Sequence, residues 1–266
     1  MIFNEPGDDC MIQSIFVGHG APTIIWEENE YTDYLKNYSK TIPKPKGIII
    51  FSAHWESSVQ LIGSSQNYEM IYDFYGFPDE LYKTTYPVTG DVRLAHQIQN
   101  ALRDKHISSK FDSNRGIDHG AWTILKLLFP EANIPVVTMS VNTKLNPIEQ
   151  FKIGEGLAKF KEEDYLIICS GGIVHNLRNI KFDALNIDGW ASEFNNWIKD
   201  KVQNRDFDAI FDYQNSAPNS RLAVPRNEHF INLLIALGTS SISHKPQLLK
   251  SIFQHGNLSL DLWEFK

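Results

Sequence analysis

Cysteine is scarce in this chain: two in 266 residues, Cys10 and Cys169. That count excludes a disulfide framework and a Cys-rich structural zinc site. Long apolar runs are also missing, and none approaches the ~20 residues that a membrane helix needs. Positive charge is not in excess. Lys and Arg number 25 against 32 Asp and Glu, giving a net charge of -7 and a pI near 5.7. That balance argues against nucleic acid or an anionic membrane as the main partner and leaves a small molecule open. The opening residues MIFNEPGDDC lack the basic and apolar regions of a secretory leader, so a soluble, cytoplasmic protein is expected. Internal repeats, low-complexity tracts and linkers are absent from the sequence. Residues 1–11 read as an N-terminal extension, and 12–266 as one domain. The oligomeric state is open.

What is present is a 42% apolar composition, enough for a sizeable core, and an alternation of strand-like and helix-like segments. Ile12–Val17, Ile48–Phe51, Ile134–Val141 and Tyr165–Cys169 are short β-branched runs of the kind buried on both faces of a sheet. Helical spacing predicts helices over Glu27–Tyr38 (Tyr31, Tyr34, Leu35 and Tyr38 inward), from Asp91 on, over His119–Phe129, and over Asp188–Asn204. Asn146, Pro147 and Glu149 spell a helix start whose Ile148, Phe151 and Phe160 would face the core. Asp206–Tyr213 reads as a short helix and Asn227 as the cap of another. Val59–Gly63 with Tyr68–Tyr72 reads as an edge pair, Phe111–Asp118 and Ser216–Arg226 as loops, and Lys250–Phe265 as two strands. Together these predict an α/β fold: a single domain with a central, mostly parallel or mixed sheet and helices on both faces.

Five histidines sit at element ends. His19, His54 and His175 each follow an expected strand among small residues, and His119 and His229 each start an expected helix. Ligands of open α/β sheets bind beyond the carboxyl ends of the strands, so a metal site there is the expectation. Any one of these histidines, taken alone, is more often structural or solvated. His96, His106, His244 and His255 are given that reading. An imidazole set with at most one carboxylate suits zinc or ferrous iron. Glu56 and Glu228 are the candidate carboxylates. The irregular aromatic stretch at 72–87, YDFYGFPDELYKTTYP, is a candidate lid or pocket wall.

The segments GHGAPT (18–23), FSAHWES (51–57), YDFYGFP (72–78), YPVTGD (86–91), GIDHGAW (116–122), PVVTMSV (135–141), SGGIVHNL (170–177) and EHF (228–230) occur in this order. In them the chain resembles the class III extradiol ring-cleavage dioxygenases, in the branch that acts on DOPA-like catechols. The resemblance implies His19, His54 and His229 as metal ligands. It implies His175 as a fourth ligand or the acid/base residue, with the proton-accepting role the favoured one. It also implies His119 as a pocket residue bonding substrate or oxygen and as second choice for the base. Among the aromatics of the 72–87 stretch, Tyr75 and Phe77 are the candidates for walling the ring. The expected partners are a catechol-type small molecule and O2. The expected cofactor is Fe(II) for turnover, with Zn(II) bound in purified protein. Two other readings of the same residues stand beside it: a zinc-dependent hydrolase using Glu228 or His175 as base, and a non-enzymatic binding protein on the same fold.

Overall fold

The computed structural model describes residues 12–241 and 243–266, so the expected extension at 1–11 lies outside the described residues. Eight strands form one mixed sheet in the order β4-β3-β5-β2-β6-β1-β8-β7. They are β1 (Ser14–Gly18), β2 (Gly47–Glu56), β3 (Gln60–Gly63), β4 (Ser109–Asp112), β5 (Val136–Val141), β6 (Tyr165–Gly171), β7 (Gln247–Gln254) and β8 (Leu258–Phe265). The centre is parallel: β2 pairs with both β5 and β6, and β6 with β1. Antiparallel pairings join β8 to β1, β7 to β8, and β3 to β5. This is the expected α/β architecture.

Successive strand residues face opposite sides, and the two cores follow from that rule. Ile48 and Ile50 join one cluster with Leu35 and Trp122. Ile49 and Phe51 join the other with Leu94, Ile153, Phe194 and Leu234. Helices Glu30–Tyr38 and His119–Leu128 therefore cover one face. Val92–Asp104, Pro147–Leu157, Gly189–Asn204 and Glu228–Gly238 cover the other. Among the described residues, no helix is long and apolar enough to cross a membrane.

Several local expectations are corrected. β2 does not stop at Phe51 but runs to Glu56, so His54 lies inside the strand rather than after it. The ladder survives its polar residues because β5 continues alongside, with an irregular register between Phe51 and Glu56. Such irregularities re-aim side chains. Tyr68–Tyr72 is not a strand; only isolated bridges at Asn67 and Met70 remain, and β3 pairs instead with β4 and β5. Phe111, expected in a loop, belongs to β4. The first helix starts at Glu30, not Glu27, because the Asn29 side chain accepts from the amides of Tyr31 and Thr32. Thr32 takes the buried place expected for Tyr34, which is 36% exposed, and Ile148 is 49% exposed. A short helical turn, Ser220–Ala223, interrupts the expected 216–226 loop.

The Glu228–Gly238 helix is buried along its whole length. It packs against Pro147–Leu157 through two glycines. A Cβ on Gly238 would stand 1.9 Å from the Phe151 carbonyl oxygen, and one on Gly154 would stand 2.0 Å from that of Ile235. The backbones touch, and no side chain can yield to relieve a clash. Gly238→Ala is therefore expected to cost roughly 2–3 kcal/mol through overpacking, read as a lower melting temperature. An unchanged melting temperature would refute this account of the helix pair.

Candidate metal centre

Four of the five histidines come from element ends, and the fifth, His54, from within β2. His19 follows β1, where Gly18 lets β8 approach: a Cβ there would meet Leu260 Cα at 2.8 Å. His54 is in the irregular part of β2. His119 opens its helix, and Gly120 behind it leaves room for Ser52 and His54, which a Cβ would meet at 2.7 and 2.9 Å. His229 opens the buried Glu228–Gly238 helix. His175 follows β6 and stacks on His229, with ring centroids 3.5 Å apart and an interplanar angle of 12°. The His19 ring lies 5.0 Å from His54, 5.1 Å from His229 and 5.6 Å from His119.

The hydrogen bonds settle which ring nitrogens face inward. His19 Nδ1 lies 3.0 Å from Ser170 Oγ, whose own proton goes to the Gly120 carbonyl at 2.5 Å. A hydroxyl has one proton to give, so His19 Nδ1–H is the donor and its Nε2 keeps a lone pair. His54 Nδ1 donates to Asp73 Oδ2 at 3.0 Å. His229 Nδ1 donates to Glu228 Oε1 at 3.2 Å, and its Nε2 is buried with no hydrogen-bond partner. Each of the three rings commits Nδ1 outward and turns Nε2 inward. Yet Nε2 of His19 and Nε2 of His54 are only 3.1 Å apart. Two lone pairs at that distance repel unless a cation or a proton stands between them.

One ligand atom from each of His19, His54 and His229 fits within a 4.8 Å span. An ion at about 2.0–2.1 Å from each nitrogen requires separations of roughly 3–4 Å. The donor set therefore fits a divalent metal with small inward adjustment. Outward bonds to a hydroxyl or carboxylate are the usual support for histidine ligands. Two other groups meet the same span, His54–Asp73–His119 and His175–Glu228–His229.

Electrostatics follow burial. Desolvation, then the neighbouring imidazoles, hold His19 and His229 well below the ordinary histidine value. Burial brings His175 down to about 4. It also lowers His119, against the pull of its bond to Asp73. His54 is the exception. Burial opposes its charge, but the bond to Asp73 and the fields of Asp118, Asp73 and Glu228 outweigh this and raise its pKa. Burial pushes Asp73 up, but hydrogen bonds from His119 and His54 override it, so Asp73 lies well below the usual carboxylate range.

Some expectations about the site are revised. Glu56 points to Arg226, at 2.6 Å, rather than to the histidines. Glu228 bonds His229 Nδ1 and Arg226. Tyr75 is 92% exposed, so it does not wall the centre, whereas Phe77 packs on Phe74 at 5.4 Å. Phe74 itself stands edge-on to His119 at 5.7 Å. His96 and His106 are exposed, as expected. Sequence reasoning missed Asp73, Ser170 and Asp118. Buried Asp118 accepts from Ser52 at 2.5 Å and from Arg115 at 2.9 Å, while Arg115 also bonds the His54 carbonyl at 3.2 Å. All three lie in or beside the motif segments, but an oxygen acceptor has no spacing signature until the fold brings its partner near.

Residues 16–259 match the family described as the catalytic LigB subunit of aromatic ring-opening dioxygenase. The chain is 33% identical to the 4,5-DOPA dioxygenase extradiol of Beta vulgaris, over 97% of this chain and 98% of that one. It is 34% identical to the Portulaca grandiflora protein of the same name, over 95% of each. With the 4,5-DOPA dioxygenase extradiol of Escherichia coli K12 it shares 31% identity, over 85% of this chain and 84% of that one. The crystal structure of an uncharacterized Escherichia coli K12 protein superposes with a TM-score of 0.84 at 27% identity, covering 96% of this chain and all of that one.

The four depressed histidines prefer to stay neutral when folded, so their stabilisation is complete above about pH 6.5 and is lost as pH falls through their folded values. His54 has the opposite sign: its contribution is present below pH 6.5 and fades above its raised pKa. The metal-free protein should therefore melt at progressively lower temperature from pH 6.5 to 4. His175 alone, moved from 6.5 to about 4, is worth on the order of 3 kcal/mol over that window. Calorimetric scans across it provide the check, and a melting temperature that rises on acidification would contradict the burial account.

Proposed function

The chain belongs to the LigB family of aromatic ring-opening dioxygenases, and we propose that it cleaves a catechol-type, DOPA-like aromatic beside its paired hydroxyls, using O2 and Fe(II) held by His19, His54 and His229. The catalytic domain in this reading is residues 12–266. The observation that carries it is the three inward Nε2 atoms, each backed by an outward Nδ1–H donor bond to Ser170, Asp73 or Glu228. The curated relatives named for 4,5-DOPA extradiol cleavage support the substrate class.

Ferrous iron, held by His19, His54 and His229, would supply the electron transfer that activates dioxygen. The protein's own groups do the rest. His175, kept neutral by burial, receives a catechol proton. Its stacking on His229 keeps that base against the ligand set. His119 gives Nδ1–H to Asp73 at 2.7 Å, so its Nε2 is left as an acceptor for a substrate hydroxyl. Phe74 and Phe77 supply an apolar wall that keeps water from the ring. An imidazole set also takes zinc, which lies above iron in the affinity order, so purified protein is expected to hold zinc in part.

The test is reconstitution. Metal-free protein loaded anaerobically with Fe(II) should take up one O2 per catechol opened and yield a yellow semialdehyde acid. Zinc-loaded protein should take up none, and His229→Ala should lose metal. Ester hydrolysis by the zinc form, with no oxygen uptake by the iron form, would replace this reading with the hydrolase one.

A further inference from the structure

Asp73 bonds both His54 and His119, whose rings lie 4.0 Å apart, from within the aromatic stretch. Its Oδ2 accepts from His54 Nδ1 at 3.0 Å. Its Oδ1 accepts from His119 twice, from Nδ1 at 2.7 Å and from the backbone amide at 3.1 Å. One carboxylate thus fixes the tautomer and the ring direction of both histidines. Asp73 also stands inside the aromatic stretch. On either side of it, Tyr72 and Phe74 meet edge to face at 6.1 Å, and Phe74 continues to Phe77, Tyr82 and Trp122. The Tyr72 hydroxyl closes the loop by donating to the Thr84 carbonyl at 2.7 Å.

We propose that Asp73 is a positioning residue that couples order in the 72–84 aromatic segment to occupation of the metal centre through His54 and His119. The coupling rests on His54 being a ligand. A ligand ring that cannot swing keeps Asp73 in place, and Asp73 keeps the segment in place. The reverse also holds, because coupling between two sites is reciprocal. The substrate wall is then ordered when the centre is ready to use it. His54, Asp73 and His119 also meet the span of a cation site. However, their 2.7–3.0 Å separations are those of hydrogen bonds, so the carboxylate acts here as an acceptor of two N–H donors.

The experiment uses full-length protein and Zn(II) as the probe, so that no turnover is needed. Zinc affinity is measured by chelator competition, and amide hydrogen exchange is followed over residues 70–85 with and without zinc. In the wild type, zinc should slow exchange in 72–84 about tenfold or more. Asp73→Asn keeps one acceptor oxygen and turns a donor toward an N–H. It should weaken zinc binding by about 10–100-fold, the usual effect of losing a ligand's supporting partner. At saturating zinc its segment should exchange as in the metal-free protein. If that variant does not fold, Asp73→Glu, which keeps the charge but moves it, takes its place with the same expectation. Normal zinc affinity in the variant overturns the proposal. So does weakened affinity with full zinc-dependent slowing, or binding of two zinc ions per wild-type chain and one in the variant. His54→Ala is the separate control: undiminished zinc affinity there would remove the ligand reading itself rather than the coupling.

Discussion

Two imidazole lone pairs set 3.1 Å apart form the constraint around which this structure is built. The arrangement is unfavourable in itself, and it persists because Ser170 and Asp73 hold the far side of each ring. The third ring, His229, adds a buried nitrogen with no partner. Leaving a buried polar atom unsatisfied costs about 1–3 kcal/mol. A positive charge at the centre removes both penalties together. The carboxylates of Asp73, Asp118 and Glu228 raise the pKa of His54 against its burial.

The sheet brings these rings together. Parallel β1, β2 and β6 bring residues 19, 54 and 170 to one end of the molecule, although more than a hundred residues separate the last two. Helix starts contribute the remaining rings. The close approaches are made at glycines. Gly18 admits β8, and Gly120 admits the helix start onto Ser52 and His54. A methyl group at Gly120 would press on the His54 ring, and one at Gly18 on the β8 backbone. Burial then keeps most of the imidazoles neutral, the state in which they bind metal or accept a proton.

Much of this was legible in the chain, for identifiable reasons. The central strands were visible as β-branched runs, because strands covered on both faces need apolar residues at every position. The capping box at Asn146 and Glu149 formed as its spacing indicated. All five histidines converge: four from strand ends and helix starts, where an α/β fold exposes side chains to a common crevice, and His54 from the irregular stretch of β2. The errors have causes as well. The small polar residues after Phe51 read as a strand end, whereas the neighbouring β5 sustains β2 to Glu56. Aromatic character alone points Tyr75 to the pocket, and an irregular loop has no period from which to read which of its rings turn inward. Asp73 was overlooked because its partners, His54 and His119, lie 19 and 46 residues away and become neighbours only when folded.

The Glu228–Gly238 helix, buried along its length and pressed backbone to backbone against its neighbour, holds His229 on a helix with little room to shift. The aromatic segment across from it is irregular and carries Tyr75 out in water. New substrate shapes are therefore most cheaply explored by rewriting the segment, while the helix acts as a fixed plinth that resists sliding. A chain divided in this way can diversify what it accepts without moving the atom that does the accepting.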